Sequence, residues 1–291
     1  MKNYIKYIIL FSILFSTEIV VAQLFVASNA NITITPDASF CIKGNASNNG
    51  LIQNSGAIFL NGDWENSGIY NPTGTMVLNG KNQQINHNAA FYNLTIDSGG
   101  NKTFLSNTSI TNMLLLENGF VIPNANTHFL IDNLGRTSAG SDISYVNGTL
   151  YNSGTGNKYF PIGNSQGFYP AELLSVTGSS PIIGFSVKPN TSIVMGSDLS
   201  RITSVMNTHY WQKEILAGDY EGGYLALPIM TDDYLYDSLL VEVMQATQLE
   251  SNFVDIGNNI SAESLKTAQN ITMPVLFGLL TKRFILLIYV T

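Results

Sequence analysis

A short pattern recurs at a nearly fixed spacing in the first half of the chain, and it limits the possible folds more than any other feature. Two apolar residues separated by one residue precede a turn with glycine. The pattern occupies residues 40–44, 58–62 and 76–80, so successive copies lie 18 residues apart. It returns with small insertions at residues 94–99 and 114–119 and fades after Phe129. Internal repeats of this length indicate a stacked, repetitive architecture.

Alternate side chains of a strand face the same side, so Ile42, Leu60, Leu78 and Ile96 are expected to point inward. The glycine that follows each strand favours a turn because it accepts positive φ. We therefore predict a short right-handed parallel β-helix, a solenoid with repeats of 18–20 residues, over residues 23–137. The four side chains would lie directly above one another in successive coils. A run of antiparallel hairpins is the alternative, although hairpins need no fixed register.

Asparagine is frequent in the repeat region, for example at Asn48, Asn61, Asn66 and Asn79. Its amide can both donate and accept hydrogen bonds, which suits polar ladders at the corners of a solenoid.

The spacing becomes irregular after residue 138. Strand-like runs there are separated by turn residues, among them 154–157 and 178–181. About seven to nine short strands with such breaks predict an immunoglobulin-like β-sandwich over residues 138–291. Only residues 263–269 have the pattern of a short helix. The predicted fold class is therefore all-β.

Residues 1–22 have the pattern of a signal peptide. Lys2 and Lys6 precede a short apolar segment, and small or modest residues lead up to a cleavage site before Gln23. An uncleaved anchor helix is the alternative. Export predicts a secreted protein at the extracellular cell surface, with the periplasm as the other compartment.

The C-terminal residues 274–291 are strongly apolar, but Lys282 and Arg283 lie in their middle. A membrane-spanning helix would bury both charges at a cost of about 2.5–3.5 kcal/mol each. We therefore predict a final strand and no transmembrane span in the mature chain. The strand stops abruptly at Thr291, as in a truncated domain.

The charge of the chain argues against a nucleic-acid-binding protein, and its cysteine content excludes a disulfide-stabilised domain. Only 11% of the residues are charged, the net charge is −7 and the pI is about 4.8. Nucleic-acid binding needs clustered Lys and Arg, so no nucleic-acid partner is expected. Cys41 is the only cysteine, which excludes an intramolecular disulfide.

No catalytic, cofactor-binding or metal-binding residues are predicted. His87, His128 and His209 are not at the spacing of metal ligands. The chain also lacks a Gly-x-Ser-x-Gly nucleophile motif and a phosphate-binding glycine loop.

A β-helix can carry a polysaccharide-cleaving site, and such a site needs paired carboxylates. One pair of acidic residues in the repeat region is a candidate. Asp63 and Glu65 are two residues apart and are expected on one face, but at an 18-residue spacing their equivalents are Lys81 and Gln83. No ladder of carboxylates is therefore predicted. The densest acidic cluster, at Asp232, Asp233 and Asp237, lacks the ligand pattern of a calcium loop.

Aromatic residues are the remaining candidates for binding. Trp64, Tyr70, Phe91 and Tyr92 fall in neighbouring coils, where rings stack on sugars or fill the core. We favour the core. Trp211 and Tyr210 are likewise predicted to fill the core of the sandwich.

The repeat segments resemble the β-helical repeats of large surface proteins from Bacteroidota. The segments that carry this resemblance are residues 61–68, 74–80, 84–85 and 91–96. The second half is similar to the domain that follows those repeats, at residues 159–163, 169–171, 209–211 and 253–257. Proteins of this group usually continue into a gliding-motility-associated or type IX secretion C-terminal domain, and residues 1–291 carry no pattern of such a domain.

The resemblance implies a non-catalytic, secreted cell-surface structural or adhesion module. Its partner would be an unidentified surface, glycan or protein ligand, and it would need no cofactor. The alternative is a carbohydrate-binding or polysaccharide-cleaving β-helix protein.

Overall fold

The structure is a computed structural model made of strands. It describes residues 23–87, 89–189, 209–228, 241–246, 254–255, 258–261, 264–267, 271, 276–281 and 284–285. Every regular element among these residues is a strand, which confirms the all-β prediction for this part of the chain. The predicted signal peptide, residues 1–22, lies outside the described residues.

Two parallel sheets, which we call sheets 1 and 3, form the long sides of a solenoid. A shorter parallel sheet, sheet 2, closes its first coils. Sheet 1 contains β1 (Leu24–Val26), β4 (Ala46–Asn48), β7 (Trp64–Asn66), β10 (Gln83–His87), β12 (Asn101–Phe104), β14 (Phe120–Pro123), β17 (Val146–Asn147), β20 (Ile162–Asn164) and the antiparallel β21 (Gly167–Phe168). Sheet 2 contains β2 (Asn31–Ile34), β5 (Leu51–Asn54) and β8 (Ile69–Pro72). The solenoid part of sheet 3 contains β3 (Ser39–Ile42), β6 (Ala57–Leu60), β9 (Thr75–Leu78), β11 (Ala89–Ile96), β13 (Thr108–Leu116), β15 (Phe129–Ile131), β16 (Arg136–Thr137) and β18 (Leu150–Ser153).

The inward side chains of sheet 3 form the predicted column. Ile42 pairs with Leu60, Leu60 with Leu78, and Leu78 with Ile96, all in parallel register. All four side chains are buried. The stacking in about seven coils confirms the β-solenoid and excludes antiparallel hairpins over this part of the chain.

Polar side chains link the coils at the corners, as the asparagine pattern predicts. The Asn48 Nδ2 donates to the Asn66 Oδ1 of the next coil at 2.7 Å, and the Asn61 Nδ2 donates to the Asn79 carbonyl at 3.3 Å. Asn48 is fully buried, and its Oδ1 also accepts the Gly50 N–H. These bonds satisfy buried polar groups that the turns would otherwise leave unpaired.

A bulge explains why the repeat lengthens. Phe91 of β11 pairs with Ile110 of β13, whereas Asn93 pairs with Met113, so β13 contains one extra residue. An extra residue in one strand of a pair bends the strand and changes the spacing of the residues beyond it. As a result, Ile96 lies beneath Leu116, which is 20 residues further along the chain.

The parallel stacking continues beyond residue 137, where the sequence places the end of the solenoid. Val121 of β14 pairs with Val146 of β17, and Val146 pairs with Ile162 of β20, both in parallel register. These side chains are all fully buried. The strands β17 and β20 therefore extend the parallel stacking of sheet 1 past residue 137.

The remaining described strands are antiparallel. They are β19 (Gly156–Phe160), β22 (Ala171–Pro189), β23 (His209–Pro228), β24 (Val241–Ala246), β25 (Val254–Asp255), β26 (Asn258–Ser261), β27 (Ser264–Thr267), β28 (Leu276–Thr281) and β29 (Phe284–Ile285). The long strands β22 and β23 form a hairpin, and β22 also pairs with β18 at the end of sheet 3. A β-sandwich is not confirmed by the described residues.

Two local predictions differ from the structure. The turn predicted at residues 178–181 lies inside β22, where the register against β23 shifts and Gly178 has a φ of +133°. The turn residues there make bulges and do not end the strand. The helix predicted over residues 263–269 is wrong at Ser264–Thr267, which form β27 and pair with β23.

Two adjacent glycines at the corner between β11 and β12 offer a test of how tightly this corner stacks on the preceding coil. Both have positive φ, +74° for Gly99 and +67° for Gly100. A Cβ on Gly100 would lie 1.6 Å from the Lys81 carbonyl oxygen of the preceding coil, whereas the nearest atom to a Cβ on Gly99 is 3.5 Å away.

Gly99→Ala should therefore cost about 1–2 kcal/mol of unfolding free energy, the usual penalty for this backbone conformation. Gly100→Ala should cost clearly more, because two coils must also separate. Urea unfolding followed by circular dichroism measures both losses, and equal losses would contradict the close contact.

Candidate functional site

The outer face of sheet 1 presents a regular array of polar side chains. Glu65 of β7 lies between Ser47 of β4 and Asn86 of β10 in parallel register. Gln84 of β10 pairs with Thr103 of β12 in the same way. Neighbouring strands are about 4.8 Å apart, so these side chains form rows that cross the coils. We call this face the sheet-1 groove.

Asp63 is fixed at the edge of the groove by two hydrogen bonds between coils. Its N–H donates to the Asn45 Oδ1 at 2.9 Å, and its Oδ1 accepts the Gln84 N–H at 2.8 Å. The corner thus uses one oxygen of the carboxylate to join β7 to β10. A carboxylate accepts several hydrogen bonds, so Asp63 retains capacity for hydroxyl donors.

Two adjoining depressions, of about 370 and 450 Å³, form the floor of the sheet-1 groove. Asp63 and Gln84 line both of them, which makes the groove continuous across at least three coils. Glu65 and Asn86 line the first depression, and Thr103 lines the second. No Lys, Arg or His is among the described residues that line either depression, so the groove is polar with negative charge.

Apolar side chains lie at the end of the first depression and along its side. Phe25 of β1 is 65% exposed and pairs with Ser47, while Leu105 is 39% exposed. Exposed rings are unusual on a surface otherwise built from amides and hydroxyls. The groove therefore combines hydrogen-bonding groups with an aromatic face.

The structure corrects the predicted neighbours of the two acidic residues. Trp64 pairs with Ile85, so Glu65 lies beneath Asn86 and not beneath Gln83. The corner between β9 and β10 is three residues longer than the 18-residue repeat assumes, because Trp64 and Ile85 are 21 residues apart. Neither assignment produces a ladder of carboxylates.

The aromatic residues proposed as alternatives for sugar stacking form an internal cluster. Trp64, Tyr70 and Phe91 are buried, which agrees with the core interpretation, and Tyr92 is 37% exposed. The Trp64 and Tyr70 rings make an edge contact with centroids 5.7 Å apart. Trp211 is also fully buried, and its Nε1 donates to the Tyr169 carbonyl.

His87 completes this aromatic cluster. The Trp64 Nε1 donates to the His87 Nδ1 at 3.1 Å, and the His87 ring lies 4.2 Å from Phe91 between centroids. Burial lowers the pKa of His87 to about 4, so the imidazole is neutral near pH 7. A neutral ring that accepts from an indole has a structural role.

The other predicted candidates lie apart from the groove. His128 packs edge-on against Tyr151, and His209 is buried against Tyr169. Cys41 is exposed on sheet 3 as a free thiol. The cluster of Asp232, Asp233 and Asp237 lies outside the described residues.

In the described part of the chain, no group of three or more His, Cys, Asp or Glu side chains is arranged to hold a metal ion. Within the same residues, no helix is long and apolar enough to cross a membrane.

Sequence inspection did not identify two buried polar residues inside the solenoid. The Lys102 Nζ donates to the carbonyls of Gly80 and Gly99, and the Gln83 Nε2 donates to the Leu60 carbonyl at 3.0 Å. Burial lowers the pKa of Lys102 to about 8, and the Asp97 carboxylate opposes this shift. The alternation of Lys102 with the buried Phe104 was the available signal that this lysine faces inward.

No protein-family model, curated protein or solved structure shows significant similarity to this chain. The candidate site is therefore defined by its own geometry: a negatively charged polar groove with exposed apolar groups, held on the rigid outer face of sheet 1.

Proposed function

We propose that this chain is a non-catalytic, secreted cell-surface module that serves as a structural and adhesion segment. The observation that carries the proposal is the continuous parallel stacking from β1 to β20. Each coil repeats the same hydrogen-bonded geometry, so the outer faces keep a fixed spacing along the solenoid. Eight parallel strands at about 4.8 Å give sheet 1 a length of roughly 35 Å.

The composition of the outer faces supports a role in the extracellular medium. Uncharged polar groups, chiefly Asn, Ser, Thr and Gly, supply most of the polarity, and only 11% of the residues are charged. The apolar column inside the coils and the asparagine bonds between them do not depend on a cofactor. A rigid support for contacts with another surface needs no further chemistry.

In this proposal, the antiparallel strands after β21 cap the end of the solenoid. An open solenoid end exposes unpaired strand edges, which promote aggregation. The hairpin of β22 and β23 covers the end of sheet 3 by pairing with β18. We infer that the strands from β22 onward belong to a sandwich-like domain and that the solenoid is a right-handed β-helix.

The resemblance of the repeats to those of Bacteroidota surface proteins supports the same function. Proteins of that kind are exported and usually attached through a type IX secretion domain. Secretion and surface attachment are accordingly part of the proposal for this chain, and residues 1–22 would direct the export.

Labelling of intact cells tests the proposal. An antibody against the purified chain should bind intact cells of the source bacterium, and a membrane-impermeant biotin reagent should label the chain. A deletion strain should attach less to surfaces under flow, and the full-length gene should restore attachment. Recovery of the chain only from the cytosol would refute the proposal.

A second assay separates this function from polysaccharide cleavage. Incubation of the chain with soluble polysaccharides should release no reducing ends, because the described residues of the groove include no cationic group beside Asp63 and Glu65. Release that disappears in Asp63→Ala would contradict the non-catalytic proposal.

A further inference from the structure

We infer that the sheet-1 groove binds an uncharged, hydroxyl-rich glycan chain that lies across successive coils. This inference rests on the proposed adhesion function, and it identifies the surface and the partner through which adhesion would occur.

The direction of the groove favours a long, narrow partner. From Phe25 on β1 the outward positions continue through Ser47 and Glu65 to Asn86, each in register with the next. The row from β1 to β12 crosses four strand spacings, which is roughly 20 Å. Because each coil adds a similar group at a fixed interval, the face suits a polymer with a repeated unit.

The lining supplies the groups that recognise hydroxyls. Gln84 and Asn86 are exposed amides that both donate and accept, and the Ser47 and Thr103 hydroxyls do the same. The Glu65 carboxylate is exposed, and a carboxylate has two oxygens that can each accept from a ligand hydroxyl. These groups are attached to strands, so little backbone freedom is lost when a ligand binds.

The charge of the groove argues against anionic polymers. Asp63 and Glu65 are the ionisable groups among its described lining residues, and both are acidic. Phosphate, sulfate and uronate polymers would be repelled, because they need Lys or Arg partners. A neutral glycan donates its hydroxyls to the carboxylates and keeps its own charge at zero.

Phe25 adds an apolar surface for the faces of sugar rings. Its side chain is 65% exposed at the start of the row, beside the polar positions and not inside the core. Sugars have faces of C–H groups that pack on aromatic rings, and this contact gains from removal of apolar area from water. An exposed phenylalanine next to amides and carboxylates is therefore matched to a sugar better than to a purely polar ligand.

Affinity electrophoresis of the purified chain in gels containing soluble polysaccharides tests the inference. Hydroxyethylcellulose, galactomannan, glucomannan and dextran are the neutral probes, and polygalacturonate and chitosan are the charged probes. At least one neutral polysaccharide should retard the chain, with similar strength at low and high salt. Binding of no neutral polysaccharide, or binding of a charged one alone, would overturn the inference.

A matched pair of double variants locates the site. Glu65→Ala with Asn86→Ala removes an in-register pair of exposed polar groups and should weaken binding at least about tenfold. Gln53→Ala with Asn71→Ala removes an equivalent in-register exposed pair from sheet 2 and should leave binding unchanged. Thermal melting of each variant establishes that the fold is retained.

Equal binding by the wild type and the Glu65/Asn86 variant would refute the site. That result would leave the proposed adhesion function standing, because cell-surface labelling and the attachment of cells with the wild-type chain test that function whichever face of the solenoid makes the contact. Conversely, glycan binding by a chain found only in the cytosol would refute the adhesion function and retain the groove as a glycan site.

Discussion

Replacing Leu78 by aspartate should leave no folded solenoid in solution. Leu78 is fully buried in the middle of the sheet-3 column, between Leu60 and Ile96. A carboxyl group there would have to be buried without a partner or protonated, and each option costs several kcal/mol. Each coil depends on its neighbours, so failure of a central coil removes the support of both halves.

The milder substitution Leu78→Ala should lower the free energy of unfolding by about 2–5 kcal/mol, the range for a buried leucine that leaves a cavity. Urea unfolding followed by circular dichroism and by tryptophan fluorescence gives this value. Trp64 lies in the solenoid and Trp211 in the hairpin, so the fluorescence reports on both parts. If the circular dichroism and the fluorescence change at the same urea concentration, the two parts unfold cooperatively.

Val77→Asp is the matched control for Leu78→Asp. It introduces the same charge one residue earlier on β9, where the side chain faces outward and is partly exposed. This variant should remain folded. If the two aspartate variants unfolded at the same urea concentration, the inward column would not be the main support of the solenoid.

The sheet-3 column could be predicted because it depends on a spacing that the sequence preserves. Ile42, Leu60, Leu78 and Ile96 alternate with outward residues and recur every 18 positions, and both properties follow from strand geometry. Glycine after each strand marks the turn. No information from distant parts of the chain is needed to recognise such a pattern.

Sheet 1 was harder to predict because its corners vary in length. Trp64 pairs with Ile85 and not with Asn82, its equivalent at an 18-residue spacing, because the corner after β9 is longer. The next corner is correspondingly shorter. The position of the strand after such a longer corner is set by its pairing with the neighbouring coil, which the spacing in the sequence does not reveal. The partners of Asp63 and Glu65, and hence the lining of the sheet-1 groove, could not be obtained from a constant spacing.

The parallel pairing of sheet 1 beyond residue 137 was not recognised from the sequence for a related reason. Strands β17 and β20 contain only two and three residues, and the alternation of apolar residues is weak over such short segments. Their inward side chains Val146 and Ile162 are placed by the coil beneath them. Conversely, the glycine and serine residues of β22 suggested a break where the long strand has bulges.

Lys213 is the second residue whose replacement should have a large effect, and the effect should depend on pH. It lies on β23 with no exposed surface, and its Nζ lies 3.9 Å from the centroid of the Tyr220 ring. Its Nζ has no hydrogen-bond partner among the described residues. Burial lowers the pKa of Lys213 to about 7, because the charged form is poorly solvated there.

The sign of the pH dependence follows from proton binding. The unfolded chain keeps Lys213 protonated up to about pH 10.5, whereas the folded chain releases the proton near pH 7. Between these values the unfolded state binds more protons, so stability rises with pH. Below pH 7 the folded state carries the full cost of the buried charge, on the order of 5 kcal/mol.

Lys213→Met should therefore stabilise the protein most below pH 7, and the gain should shrink steadily toward pH 9. Urea unfolding of the wild type and the variant at several pH values measures the difference. Lys266→Met is the matched control, because Lys266 also lies over a tyrosine ring, Tyr224, but is only partly buried. This control should shift stability by a similar small amount at each pH. If the wild-type and Lys213→Met curves ran parallel from pH 6 to pH 9, the ammonium group would not be buried in the folded state, and the packing of β23 around it would have to be revised.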